Sequence, residues 1–268
     1  MIFDRILIVG CGNMAGAMLE GWLAAGLPPG RFTVVDPVVR SLPAGVRSLD
    51  AVPKGEAFDA ILLGIKPQLL AGVAPQVVPL AGSATVLISI LAGVELTVLR
   101  EHFPRAGALL RIMPNLSAAL GKSPIALAAD GLDAAGRSAA VELLAPLGSP
   151  EWIAEGEFDL VTALAGSGPA FVYRFIDALA QAAAELGLPE QEARRLALAT
   201  VDGAAALAAV SPHDPRELAR RVASPGGVTQ AGLDALDDGD SLGGLIVSTL
   251  RAARDRSAQM AAEARGKG

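Results

Sequence analysis

The chain has 268 residues, 52% hydrophobic and 19% charged, which supplies a core for one large or two ordinary domains and excludes a disordered chain. Its net charge is −6 and its longest basic blocks are Arg194-Arg195 and Arg220-Arg221, which excludes the clustered positive face that nucleic acid requires. Cys11 is the single cysteine, so no internal disulfide can form, as suits a reducing compartment. Apolar runs fall short of the roughly 18 residues of a membrane span, and the first strand starts too near Met1 for a signal peptide. A cytoplasmic protein, with no membrane or nucleic-acid partner, is expected.

Arg5-Ile6-Leu7-Ile8-Val9 reads as a buried parallel strand and residues 17–25 as a helix. Between them lies Gly10-Cys11-Gly12-Asn13-Met14-Ala15-Gly16. A strand that feeds a helix through G-x-G-x-x-A is the loop that cradles a dinucleotide pyrophosphate, or else a plain tight turn. In the first reading Gly10 makes the turn, Gly12 admits the phosphates and Ala15 lets the helix sit close on the strand. The helix N-terminus then offers N–H groups to the anion.

Phe32-Thr33-Val34-Val35-Asp36 reads as the second strand. Asp36 stands where a carboxylate accepts hydrogen bonds from the adenosine ribose hydroxyls, and its charge opposes a 2′-phosphate. That favours NADH over NADPH, with Arg40 close enough to offset it in part; an ordinary strand-end aspartate is the other reading. A small strand is expected near Val46 and a buried one over 60–65, closed by Lys66-Pro67. Lys66 lies at the strand's carboxyl edge, beside a cofactor or simply in solvent.

Further on, we expect a helix over 69–80, a strand over 84–90 and a short helix over 95–102. The strand 108–113 stops at Pro114-Asn115, which brings the Asn115 amide to a carboxyl end where it can meet a nicotinamide or a substrate. An edge strand near 125–127, a helix over 134–144 and a last strand at Trp152-Ile153 complete an alternating pattern. Residues 1–155 therefore read as a doubly wound α/β domain with a parallel sheet, of Rossmann type.

Residues 156–268 read as all-helical: 159–186, interrupted by Gly166-Ser167-Gly168-Pro169, then 189–209, 215–221, 229–236 and 242–264. Their many alanines permit close helix contact, within the chain or with a second copy. Ser224-Pro225-Gly226-Gly227-Val228-Thr229 precedes a helix and reads as a small-carboxylate site, or as helix capping by Ser224 or Thr229.

These blocks together resemble the pyrroline-5-carboxylate reductase family. The resemblance is carried by the Gly-Cys-Gly-Asn-Met opening, Ile65-Lys66-Pro67-Gln68, Ser89-Ile90-Leu91-Ala92-Gly93-Val94, Arg111-Ile112-Met113-Pro114-Asn115, the segment 162–170, and Ala223-Ser224-Pro225-Gly226-Gly227-Val228-Thr229 with Gln230-Ala231-Gly232. It implies an N-terminal Rossmann domain and a helical C-terminal dimerisation domain, in dimers that often build decamers. It implies NAD(P)H-dependent reduction of the cyclic imine 1-pyrroline-5-carboxylate to L-proline. Gly10, Gly12, Asn13, Met14, Ala15, Asp36, Ile65, Lys66, Pro67 and Asn115 would contact the cofactor. Ser224 with the Gly226 and Gly227 amides would hold the substrate carboxylate, and Thr229 would serve the imine nitrogen. An iminium is already electrophilic, so no metal and no covalent nucleophile are expected.

The chain departs from the family pattern at Leu116-Ser117, where Thr-Pro is usual, and at Ala165 and Val228, each in place of a hydroxyl residue. Asp36 stands where many members carry Arg or Ser. A reductase of another small cyclic imine carboxylate and a non-catalytic NAD(P)-binding regulatory protein are the alternatives. A 3-hydroxyacid dehydrogenase would need a lysine in 159–186, which has none.

Overall fold

In a computed structural model, residues 3–38 and 41–265 are described, the last two by backbone alone. Eight strands form one sheet in the order β3-β2-β1-β4-β5-β6-β7-β8. They are β1 (Ile6–Val9), β2 (Phe32–Val35), β3 (Arg47–Leu49), β4 (Ala60–Leu63), β5 (Val86–Ser89), β6 (Ala108–Met113), β7 (Ser123–Asp130) and β8 (Gly148–Trp152). The order reverses between β1 and β4, which is the switch point of a doubly wound sheet.

Strand side chains alternate between two cores. Ile6 and Ile8 of β1 face the layer of α1 (Asn13–Ala24) and α4 (Ala134–Leu144), with Met18, Leu19, Trp22 and Leu143. Leu7 and Val9 face the layer of α2 (Leu70–Val77) and α3 (Leu96–His102), with Ala74, Val77 and Leu99. Burial on both faces is why these strands are continuous apolar runs. Trp22 stacks on Phe32 with ring centroids 5.3 Å apart and donates its indole N–H to the Leu143 carbonyl over 2.7 Å.

Two expectations for the sheet are corrected. β7 runs antiparallel to β6, so the sheet is mostly, not wholly, parallel. Nor is β7 an edge: β8 pairs with it in parallel register and takes the edge instead. The sequence hides this because β8, Gly-Ser-Pro-Glu-Trp, carries almost no apolar pattern.

Two compact units divide the chain, one made of Met1–Ser167 with Ala252–Gly268, the other of Gly168–Arg251. Phe158 of α5 (Phe158–Val161) is buried in the sheet's second core, so the compact unit that holds the sheet runs on to Ser167. The last part of α10 (Ser241–Arg265) joins the first unit through buried Ala261, and Ser257 donates to Asp159 over 2.7 Å. The second unit is helical: α6 (Gly168–Glu185), α7 (Glu190–Val210), α8 (Pro215–Val222), α9 (Val228–Asp237) and the start of α10. α6 and α7 pack on each other, yet Tyr173, Phe175, Leu196, Leu198 and Leu207 stay exposed.

Candidate active site

The glycine loop joins β1 to α1 as the sequence requires. Gly10 has φ +84°, a left-handed conformation that glycine alone takes freely, and donates its N–H to the Val35 carbonyl over 2.8 Å. A Cβ on Gly64, at the end of β4, would stand 2.3 Å from the Gly10 carbonyl and 2.7 Å from the Ala15 Cβ. Gly10, Ala15 and Gly64 are therefore small because strand and helix meet there. A Cβ on Gly12 would meet no protein atom within 4 Å. Gly12 is the N-cap of α1 and gives no side-chain cap, so the amides of Asn13, Met14 and Ala15 have no preceding helical carbonyl. An open cleft of about 510 Å³ lies against this loop, with Gly12, Asn13, Gly16 and Ser41 among its walls.

Asp36 follows β2 and turns its carboxylate onto the loop. Oδ2 accepts the Cys11 N–H over 2.6 Å, and Oδ1 accepts the Val38 N–H over 2.8 Å. Arg40, the expected neighbour, lies outside the described residues. The buried Cys11 thiol has its pKa pushed up to about 11, first by burial and then by the charges of Asp36 and Glu20.

Ile65, Lys66 and Pro67 follow β4 at its carboxyl edge, where Pro67 opens a short 3-10 turn and Lys66 is its N-cap. Asn115 sits at the carboxyl end of β6 and caps a 3-10 helix over Leu116–Leu120. Its backbone N–H donates to the Ser123 hydroxyl over 2.9 Å and its side-chain Nδ2 to the Ala165 carbonyl over 2.9 Å. Its Oδ1 accepts both the N–H and the hydroxyl of Ser117, over 2.9 and 2.5 Å.

In the second unit Gly227 caps α9 without any side-chain hydrogen bond, so neither Ser224 nor Thr229 is a helix cap. The Gly227 N–H donates to the Ser224 carbonyl over 2.9 Å, in a turn with φ +69° at Gly226. Among the described residues no hydrogen bond engages either hydroxyl.

A family model described as pyrroline-5-carboxylate reductase dimerisation matches residues 155–260, and one described as NADP oxidoreductase coenzyme F420-dependent matches residues 5–93. A pyrroline-5-carboxylate reductase of Pseudomonas aeruginosa is 34% identical over 97% of this chain and 98% of its own length. The chain belongs to the pyrroline-5-carboxylate reductase family. A solved reductase from Coxiella burnetii superposes with a TM-score of 0.88 at 28% identity, covering 96% of this chain and 98% of its own. The Plasmodium falciparum reductase, solved with NADP bound, shares the fold with a TM-score of 0.83 at 23% identity, covering 97% of this chain and 100% of its own.

Membership makes the chain an NAD(P)-dependent oxidoreductase that carries its family's homo-oligomerisation domain. Among the described residues no helix is long and apolar enough to cross a membrane.

Two features of this reductase lie beyond sequence pattern. Arg111, in the middle of β6, is buried with its guanidinium 4.3 Å over the Phe158 ring and paired with Glu155 at 3.1 Å. Glu155 also accepts the Leu96 N–H at the start of α3 over 2.6 Å, so one carboxylate ties β6 to that helix. The other feature is the bond from Asn115 to Ala165, fifty residues apart in sequence.

Proposed function

We propose that this chain reduces 1-pyrroline-5-carboxylate to L-proline with hydride from NADH in preference to NADPH, as a cytoplasmic homo-oligomer assembled up to a decamer. The observation that carries the reaction is the 224–229 loop, where no hydrogen bond among the described residues engages the hydroxyls of Ser224 and Thr229.

The residues of the first unit fit a dinucleotide. The Cβ-free space at Gly12, the amides of Asn13, Met14 and Ala15, and the cleft beside them suit a pyrophosphate. Asp36 supports the NADH reading, since its place at the end of β2 is that of a ribose-binding carboxylate and its charge opposes a 2′-phosphate. Ile65, Lys66 and Pro67 serve the nicotinamide half. NAD(P)H, when bound, supplies the hydride.

The rest falls to the chain. Ser224 and the Gly226 amide take the substrate carboxylate, with Gly227 holding the turn through its bond to the Ser224 carbonyl, which fixes the imine's orientation. Thr229 accepts the N–H of the protonated ring nitrogen on its Oγ1 and so stabilises the iminium form, whose carbon is the electrophile. The test is to follow NADH and NADPH oxidation with pyrroline-5-carboxylate and with cyclic imines of other ring size. Turnover with pyrroline-5-carboxylate, faster with NADH, is expected; no turnover with either donor removes the reading.

A further inference from the structure

Pro169 stands one residue into α6 and has no N–H. In a continuous helix that N–H would bond the carbonyl four residues back, which belongs to Ala165. The chain before it is drawn into a wider π turn over Thr162–Gly166, closed by the Ser167 N–H on the Thr162 carbonyl at 2.9 Å. The Ala165 carbonyl thus loses its α-helical donor, and the Asn115 Nδ2 donates to it at 2.9 Å.

Ser117 decides which way that amide points. A backbone N–H can only donate, so it must face Oδ1, and the Ser117 hydroxyl fills the second lone pair there. Nδ2 is left facing a carbonyl that can only accept. Leu116-Ser117 therefore retains a function: a proline at 117 would bring neither donor. Gly166, next in the bend, is close to Met113 at the end of β6, with 3.5 Å between its would-be Cβ and the sulfur.

We infer that Asn115 is a positioning residue for hydride transfer: through the Ala165 carbonyl it holds the 165–167 bend over the carboxyl end of β6, with Ser117 fixing the amide's orientation. The inference rests on the reductase reading. A dinucleotide lies across the sheet at the switch between β1 and β4. With its adenosine half held near Asp36 beyond β2, its nicotinamide half would be held on the other side of the switch, by residues that follow β4, β5 and β6. The bend is then part of the wall that sets the ring's face, and π turns recur at functional sites for this kind of aim.

Three variants test it. Asn115→Asp keeps the cap to Ser117 but sets an acceptor against the Ala165 carbonyl. Asn115→Ala removes the latch, and Asn115→Ala with Pro169→Ala returns a backbone donor to that carbonyl. Wild-type turnover is measured first; its absence overturns the reductase reading itself. Given turnover, Asn115→Asp is expected to lower kcat roughly 10-fold with KM for the imine within about twofold. The double variant is expected to regain the thermal stability that Asn115→Ala loses while keeping its low kcat. Recovery of kcat along with stability would make Asn115 a partner for a stray carbonyl and nothing more. Wild-type kinetics in Asn115→Asp would overturn the inference equally.

Discussion

The Cys11 amide donates to the Asp36 carboxylate over 2.6 Å, so the residue read as a ribose acceptor is also the peg that holds the glycine loop to the end of β2. Cofactor choice and loop geometry meet in one side chain. Asp36→Ser is expected to narrow the preference for NADH and, because a charge-assisted bond is lost, to lower stability by about 1–3 kcal/mol. Steady-state kcat/KM with both donors, together with denaturant unfolding, checks it. Strong NADPH preference in the wild type would remove the specificity role and leave the peg.

Thr229 and Ser224 are expected to separate kinetically. Thr229→Ala lowers kcat roughly 10- to 100-fold, as for loss of one positioned hydrogen-bonding group. Ser224→Ala acts mainly on KM for the imine, since a carboxylate contact is made equally in ground and transition states. Neither hydroxyl supports the fold, so the melting temperatures stay at the wild-type value. Unchanged kinetics in Thr229→Ala would count against its role.

Gly64→Ala tests the close approach of β4 to the loop. Its new Cβ would stand 2.3 Å from the Gly10 carbonyl, which is backbone and cannot rotate away. A loss of about 1–3 kcal/mol is expected from overpacking, with a raised KM for the cofactor. An unfolding curve and a cofactor titration on the same sample report both.

The Cys11 thiol, with its pKa near 11, is about one part in a thousand thiolate at pH 8. Iodoacetamide is therefore expected to modify the native protein slowly and the unfolded chain fast. The native thiol binds its proton more tightly than the unfolded one, whose ordinary value is 9.0. That contribution is complete below pH 9 and lost as pH rises to about 11, on the order of 3 kcal/mol at most. Cys11→Ala should flatten this part of the stability profile; an equal fall in both proteins would assign it elsewhere.

Much of this was legible without coordinates. The period-two split of Ile6-Leu7-Ile8-Val9 between two cores follows from strand geometry, and the small residues at 10 and 15 from the need for strand and helix to touch. Local chemistry also sufficed for the turn at 224–229, where glycines and hydroxyls stand together. What stayed hidden was whatever depends on a distant partner. β8 lacks an apolar pattern because pairing with β7, not burial, holds it at the edge. Asp36 gives no sign in sequence that the Cys11 amide, 25 residues away, occupies it. Pro169 does announce that the Ala165 carbonyl loses its α-helical donor, but nothing local names the residue that donates instead. Linear spacing fixes periodicity, caps and turns, whereas a hydrogen bond between residues 115 and 165 exists only once β6 and the π turn are brought side by side by the packed core.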